Sequence, residues 1–309
     1  MATLSRFCET KRRMPSFTAR SGTIHFEQRG SRANSPVVMI HGGGCQLIQW
    51  PDSLLDGIVA AGYRTIVFDN RGSGLSAPIA APPPSFDQIL TPSGAGAAQS
   101  AVTLADLAED TVDLLDHIGQ SGAHVIGFSL GGMIAQRMAF AHPERVHSLT
   151  LLMTSSGNPN LPNPEPQVVE ALLAAQNAEG REAVIEASRA LAKAIGGPHH
   201  DSTEHGIGRF AEAAYDRSYR PETDAHHFAA VASDGDKRAE LRRLKCPVLI
   251  VHGNADPLIP VAAGEDIAAN VTNATLEIID GLGHDLPEPA IPQIVSRIVE
   301  HLQANVVDR

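Results

Sequence analysis

The chain has 309 residues, 43% of them hydrophobic and 19% charged, with a net charge of −11. That balance is globular, carries no long block of like charge, and excludes binding to nucleic-acid phosphates through bulk positive charge. No stretch reaches the roughly 18 apolar residues that span a bilayer, and the three scattered cysteines (Cys8, Cys45, Cys246) form neither a CxxC pair nor a disulfide framework, as expected of a cytoplasmic protein.

Residues 1–15 are expected to be a loose N-terminal extension. Lys11-Arg12-Arg13 is basic without an apolar signal core, and Met14 opens a more typical start. Phe17 to Gln28 predicts two short strands turning at Ser21-Gly22. Pro36 to Ile40 and Tyr63 to Phe68 are short apolar runs without a polar face, the pattern of strands buried on both sides. The Ala-, Pro-, Gly- and Ser-rich stretch 77–101 reads as a mobile loop. Thr103 caps a helix in which Leu104, Leu107, Ala108, Val112, Leu115 and Ile118 recur at helical spacing, and Gly119 closes it. Ala123–Phe128 reads as a strand, Leu130–Ala141 as a helix, and Val146–Met153 as a strand. This alternation predicts a mostly parallel sheet covered on both faces.

Between residues 154 and 236 the alternation breaks. A Pro/Asn-rich linker leads into helical segments at Val168–Asn177, Arg181–Ala194 and Gly206–Arg217, with no strand among them. The segment 154–236 is therefore read as a helical cap inserted into a core made of 16–153 and 237–309. Strands at Pro247–Val251 and Leu276–Ile279 and helices at Val261–Ala269 and Ile291–Gln303 complete that core.

Gly127-Phe128-Ser129-Leu130-Gly131 matches G-x-S-x-G between an apolar strand and a helix. The sharp turn strains the serine backbone, so small neighbours are needed two residues to either side, and Gly127 and Gly131 supply them. Ser129 is the candidate nucleophile. The first helix amides point where negative charge would develop. His41-Gly42-Gly43-Gly44 ends another strand, at the place of a second donor; the Gly43 and Leu130 amides are the candidate oxyanion hole, with Gly44 as fallback for the first. His41 is expected to brace the loop, and Cys45 to pack as a small hydrophobe.

A serine hydroxyl needs a base, and the base needs a carboxylate to orient it. His284, in Gly281-Leu282-Gly283-His284-Asp285, is the candidate base. Asp256 follows a strand in His252-Gly253-Asn254-Ala255-Asp256-Pro257 and is the candidate acid. No Asp or Glu occurs from residue 151 to 164, which closes the other plausible position for the acid. Asp285, adjacent to His284, is given a loop role. His199-His200-Asp201 with His205, and His226-His227, lack metal-ligand spacing and are expected to be solvated cap residues. No metal or cofactor is expected.

With these residues in hand, the chain resembles the α/β-hydrolase superfamily over nearly its whole length, which implies an α/β-hydrolase fold. Asp69-Asn70-Arg71-Gly72-Ser73-Gly74-Leu75-Ser76 resembles the D-x-R-G-x-G-x-S turn of the branch with epoxide hydrolases, cofactor-free haloperoxidases and small esterases, and implies a structural Arg71. Gly42-Gly43, Trp50-Pro51, the Ser129 elbow and the Asp256 and His284 loops are most similar to the aclacinomycin methylesterase group. The loop after Gly43 departs from that group. Epoxide hydrolases and haloalkane dehalogenases carry Asp where Ser129 stands. The HGGG run is shared with hormone-sensitive-lipase-like esterases, whose elbow usually reads G-D-S-A-G. The resemblance implies a serine carboxylesterase acting on small or compact esters through an acyl-enzyme. The same triad serves lactones, thioesters, carbon–carbon cleavage or perhydrolysis, and a ligand-binding receptor with vestigial turnover is the alternative of another class.

Overall fold

The computed structural model describes residues 15–85, 89 and 100–306. Residues 1–14, with the expected extension and Cys8, lie outside the described residues, and so does most of the expected loop at 77–101. In chain order the strands are β1 (Ser16–Ala19), β2 (Gly22–Arg29), β3 (Pro36–Ile40), β4 (Arg64–Phe68), β5 (Ala123–Phe128), β6 (Val146–Leu152), β7 (Val248–Gly253) and β8 (Ala274–Ile279). Among the described residues they form one sheet in the order β1-β2-β4-β3-β5-β6-β7-β8. The β1–β2 and β2–β4 pairs are antiparallel, and every later pair is parallel.

The helices of the core are α1 (Asp52–Ala60), α2 (Leu104–His117) and α3 (Leu130–Ala141). Strand alternation sends Val38, Ile40 and Val125 to one face, where α2 and α3 cover them with Leu107, Leu115, Ile134 and Met138. Val37, Met39 and Ile126 go to the other face, against Leu54, Leu55 and Ile58 of α1 and the C-terminal helix. Both faces are dry, which is why these strands lack a polar face. Thr103 caps α2 through a reciprocal bond pair with Asp106, and Gly119 ends it at φ +70°.

The region between β6 and β7 holds α4 (Pro166–Gln176), α5 (Arg181–Ile195), α6 (Ala211–Ser218), α7 (Glu222–Asp234) and the short α8 (Arg238–Leu241). The helix expected over 206–217 begins instead as a 3-10 turn, Ile207–Phe210. The packing at this turn requires glycine: a Cβ on Gly208 would lie 2.7 Å from the Thr203 Cα. After β7 come α9 (Ala262–Asn270), β8 and α10 (Ile291–Ala304). Among the described residues no helix is long and apolar enough to cross a membrane.

Candidate active site

β5 leads directly into α3 through a single residue, Ser129, whose φ of 55° and ψ of −122° place it in a strained conformation. Its surroundings enforce that turn. A Cβ on Gly127 would lie 2.3 Å from the Gly131 carbonyl oxygen, and one on Gly131 would lie 2.0 Å from the Ile40 carbonyl oxygen. A Cβ on Gly132 would meet Thr154 at 2.6 Å. Thr154 in turn donates its hydroxyl to the Ser129 carbonyl at 2.7 Å, and the Ser129 amide donates to Leu152 O at 2.9 Å.

The loops after β7 and β8 bring two more side chains to this turn. His284 Nε2 lies 2.9 Å from Ser129 Oγ, and His284 Nδ1 lies 2.7 Å from Asp256 Oδ2. The other oxygen, Asp256 Oδ1, accepts the amides of Leu258 and Ile259 at 2.9 and 2.8 Å. Burial alone would raise the Asp256 pKa; the His284 charge and hydrogen bonds from His252 and His284 outweigh it and bring it down to about 2. The carboxylate therefore stays ionised beside the imidazole and fixes which ring nitrogen faces the serine.

The three glycines after β3 differ in what they do. Gly42 is crowded, since a Cβ there would lie 3.3 Å from the Phe128 ring. Gly44 has a φ of +66°, and its amide is already engaged by His227 Nδ1 at 3.1 Å. That bond leaves the fallback donor occupied. Among the described residues the Gly43 amide has no acceptor, and Leu130 is the first residue of α3, where amides lack helical partners. His41 holds the loop from behind: Nδ1 accepts the Gly42 amide at 2.7 Å, and the ring packs on Trp50 and Phe128. Burial lowers its pKa to about 4, so it is a neutral acceptor.

Asp285 turns away from the imidazole. Its carboxylate accepts the Ile207 amide at 3.1 Å and the Leu286 amide at 2.7 Å, tying the base loop to the inserted helices. Arg71 chelates Asp110 at 2.8 and 2.9 Å, away from the serine, and Asp69 bonds the Leu47 and Leu75 amides and Arg217. Cys45 is half-buried on the cavity wall, and desolvation raises its pKa. One expectation needs correction. His226 and His227 are not solvated; both are fully buried on the inner face of α7, between Ala225, Ala229 and Ala230. His227 spans two core loops, accepting from Gly44 and reaching Arg71 O at 2.8 Å. His199 and His205 are exposed.

Ser129, Leu130 and His284 open into a cavity of about 540 Å³. The inserted segment walls it with Leu172, Val184, Leu191, Ile207 and Phe228, and the Pro-rich stretch contributes Leu161, Pro162 and Pro164. Val168 and Ile185 are buried in packing instead. Two residues at this site were not singled out from sequence. His252, four residues before Asp256, sits 3.5 Å from its Oδ2 while bonding Ile259 O at 2.7 Å. Asp224, on the cavity wall, is a carboxylate in an otherwise largely apolar lining. The His252 spacing was visible in the sequence; Asp224 had no local signal.

A family model described as the alpha/beta hydrolase fold matches residues 35–289. Rhodomycin D methylesterase DauP of Streptomyces sp. (strain C5) is 27% identical over 306 residues, covering 92% of this chain and 96% of that protein. A 2-hydroxy-6-oxononadienedioate/2-hydroxy-6-oxononatrienedioate hydrolase of Pseudomonas putida is 27% identical over 264 residues, 84% of this chain and 85% of that protein. Among solved structures, the esterase RhEst1 from Rhodococcus sp. ECU1013 has a TM-score of 0.72 at 22% identity, over 94% of this chain and 99% of that one.

Proposed function

For a chain that belongs to the alpha/beta-hydrolase fold family, we propose hydrolysis of carboxylic esters of small or compact molecules through an acyl-enzyme. The observation that carries this reading is the continuous line from Ser129 Oγ through His284 to Asp256, at 2.9 and 2.7 Å, open to a cavity. His284 takes the Ser129 proton as the oxygen attacks the ester carbonyl. The Gly43 and Leu130 amides hold the oxygen that becomes negative, in a water-poor site where such bonds count most. His284 then protonates the departing alcohol and later activates the water that releases the acid. Asp256 orients the ring and stabilises its charge. Every proton passes among Ser129, His284, the substrate and the attacking water, and His284 returns the last one to Ser129 Oγ.

The methylesterase relative favours an ester over the other bonds open to such a triad, and a cavity walled by the inserted segment favours discrete molecules over a lipid surface. The inserted segment 154–236, as a cap, sets which esters fit, and the cytoplasm is the proposed location. A p-nitrophenyl ester series of increasing acyl length tests the reading, with Ser129→Ala alongside. Turnover is expected for short acyl chains, with a loss of at least about a thousandfold in the variant and fluorophosphonate labelling confined to Ser129. Labelling elsewhere, or a nearly active variant, would overturn the assignment. An acyl-enzyme burst followed by almost no turnover would favour the receptor alternative.

A further inference from the structure

Hydrolysis of an apolar ester makes no use of Asp224. It is the third residue of α7 and shares the cavity wall with Ser129 and His284. Its carboxylate lies against the oxyanion loop: a Cβ built on Gly44 would be 1.7 Å from Oδ1 and 2.8 Å from Cγ. Among the described residues it accepts no hydrogen bond and forms no ion pair, and burial pushes its pKa up to about 6. Arg220, on the same wall, is engaged elsewhere, with Nη1 donating to Ser76 O at 2.7 Å and Gly72 O at 3.3 Å. The Cys45 thiol and the Tyr219 phenol line the same cavity; burial is the first cause raising the pKa of each, and the Asp224 charge adds to both. Neither supplies a positive charge.

A carboxylate in the first turn of a helix is favoured by the helix dipole. Glu222 already meets that demand in the same turn. Asp224 instead lines the cavity, whose wall also carries Tyr219 and Tyr215, stacked at 4.7 Å between centroids with an interplanar angle of 22°. Aromatic faces attract cations, and an unpaired carboxylate in an apolar cavity attracts them more strongly than one in water. The two together suit an organic cation better than a neutral or anionic ligand.

We propose that Asp224 anchors a cation subsite in the substrate cavity, so that the preferred esters carry a protonated or quaternary amine. This rests on the esterase reading above and adds the substrate's charge to it. The closing comparison uses acetylcholine and 3,3-dimethylbutyl acetate, which differ by nitrogen for carbon. The readout is the ratio of their kcat/KM values, not either rate. Wild type should favour the cation by about tenfold or more, a difference of about 1.4 kcal/mol, and Asp224→Asn should bring the ratio near one. In wild type alone, an anionic relative of the same length, 3-carboxypropyl acetate, should be the slowest of the three. A wild-type ratio near one, or a preference that survives Asp224→Asn, overturns the subsite. p-Nitrophenyl acetate hydrolysis, blocked by Ser129→Ala, reports on the esterase reading separately. If that hydrolysis is absent, calorimetric binding of butyltrimethylammonium decides the subsite. Binding to wild type that is lost in Asp224→Asn supports it, and no binding to wild type refutes it.

Discussion

Replacing Asp224 by Asn should stabilise the protein at pH 8. The substitution keeps the side chain's shape and removes a charge that has no counter-charge among the described residues. Burial raises the Asp224 pKa from 3.8 to about 6. At about 1.4 kcal/mol per pH unit of difference between folded and unfolded chains, the ionised form costs the native state at most about 3 kcal/mol. The sign follows from proton binding. Between pH 3.8 and 6 the folded carboxyl holds a proton that the unfolded one has released, so wild-type stability falls as pH rises through that window. Above it the whole penalty is present; below it none is. Asn carries no such penalty. With about 2.1 cal/mol/K of unfolding entropy per residue over 309 residues, the gain at pH 8 is a rise of up to about 5 °C in Tm. Urea denaturation or scanning calorimetry of both proteins at pH 8, 6 and 4 measures it. Equal stability at pH 8, or a difference that does not close by pH 4, would refute the reasoning and show that the carboxylate has a stabilising partner. Butyltrimethylammonium should raise the Tm of wild type more than that of the variant, because it supplies the missing charge.

Further outcomes follow from the site geometry. Asp256→Asn should lower kcat by about a thousandfold or more, as loss of the orienting carboxylate does in such triads. Asp285→Asn should act mainly on stability and KM through the Ile207 amide, and a larger kcat loss there would show that the wrong carboxylate was chosen. Gly131→Ala should cost more than about 3 kcal/mol, because its Cβ meets backbone at 2.0 Å and backbone yields little. Gly43→Ala, with 3.7 Å to its nearest neighbour, should cost less than about 1 kcal/mol; comparing urea midpoints separates the two. Emulsified long-chain triglyceride should be a poor substrate with no jump in rate at the micelle threshold, since the serine lies within a cavity of about 540 Å³.

The central sheet was legible because its strands are buried on both faces: Pro36–Ile40 is apolar throughout, and Ala123–Phe128 is apolar but for His124 and runs straight into Ser129. Ser129 was legible for a steric reason, since few other local sequences tolerate its backbone conformation. What escaped depends on partners distant in sequence. The Gly44 amide is engaged by a histidine 183 residues away, so the choice among three consecutive glycines had no local answer. α7 buries Ala and His rather than large aliphatic residues, so its inner face looked polar and its histidines looked solvated. α1 carries a weak helical signal in sequence because its nine residues include Gly57, a poor helix former. A Cβ at Gly57 would strike Val295 of α10 at 2.8 Å, so that glycine is set by a helix more than two hundred residues later.

The inserted helices both wall the cavity and are fastened to the loop that carries His284. The His284 amide donates to Ile195 O at the end of α5, at 2.8 Å. The neighbouring Asp285 carboxylate holds the Ile207 amide. Gly197 and Gly283 approach so closely that a Cβ on either would lie 2.4 Å or less from the other's backbone nitrogen. Where the segment rejoins the core, buried Lys237 bonds Asp234 at 2.7 Å, and Arg137 of α3 bonds the same carboxylate at 2.8 Å. A rigid swing of the whole segment would therefore pull the loop that carries His284 and part contacts around α3. The stretch Leu161–Pro164 is different: it walls the cavity, Pro162 to Pro164 is exposed, and its backbone is held at its two ends, by the Leu161 amide on Asn158 O at 3.2 Å and the Glu165 amide on Pro257 O at 2.8 Å. Substrate admission through that stretch leaves the imidazole undisturbed, whereas admission by lifting α5 would displace it. If the proposed mechanism holds, changes to the cavity wall are coupled to the position of His284 on the α5 side and separable from it on the linker side.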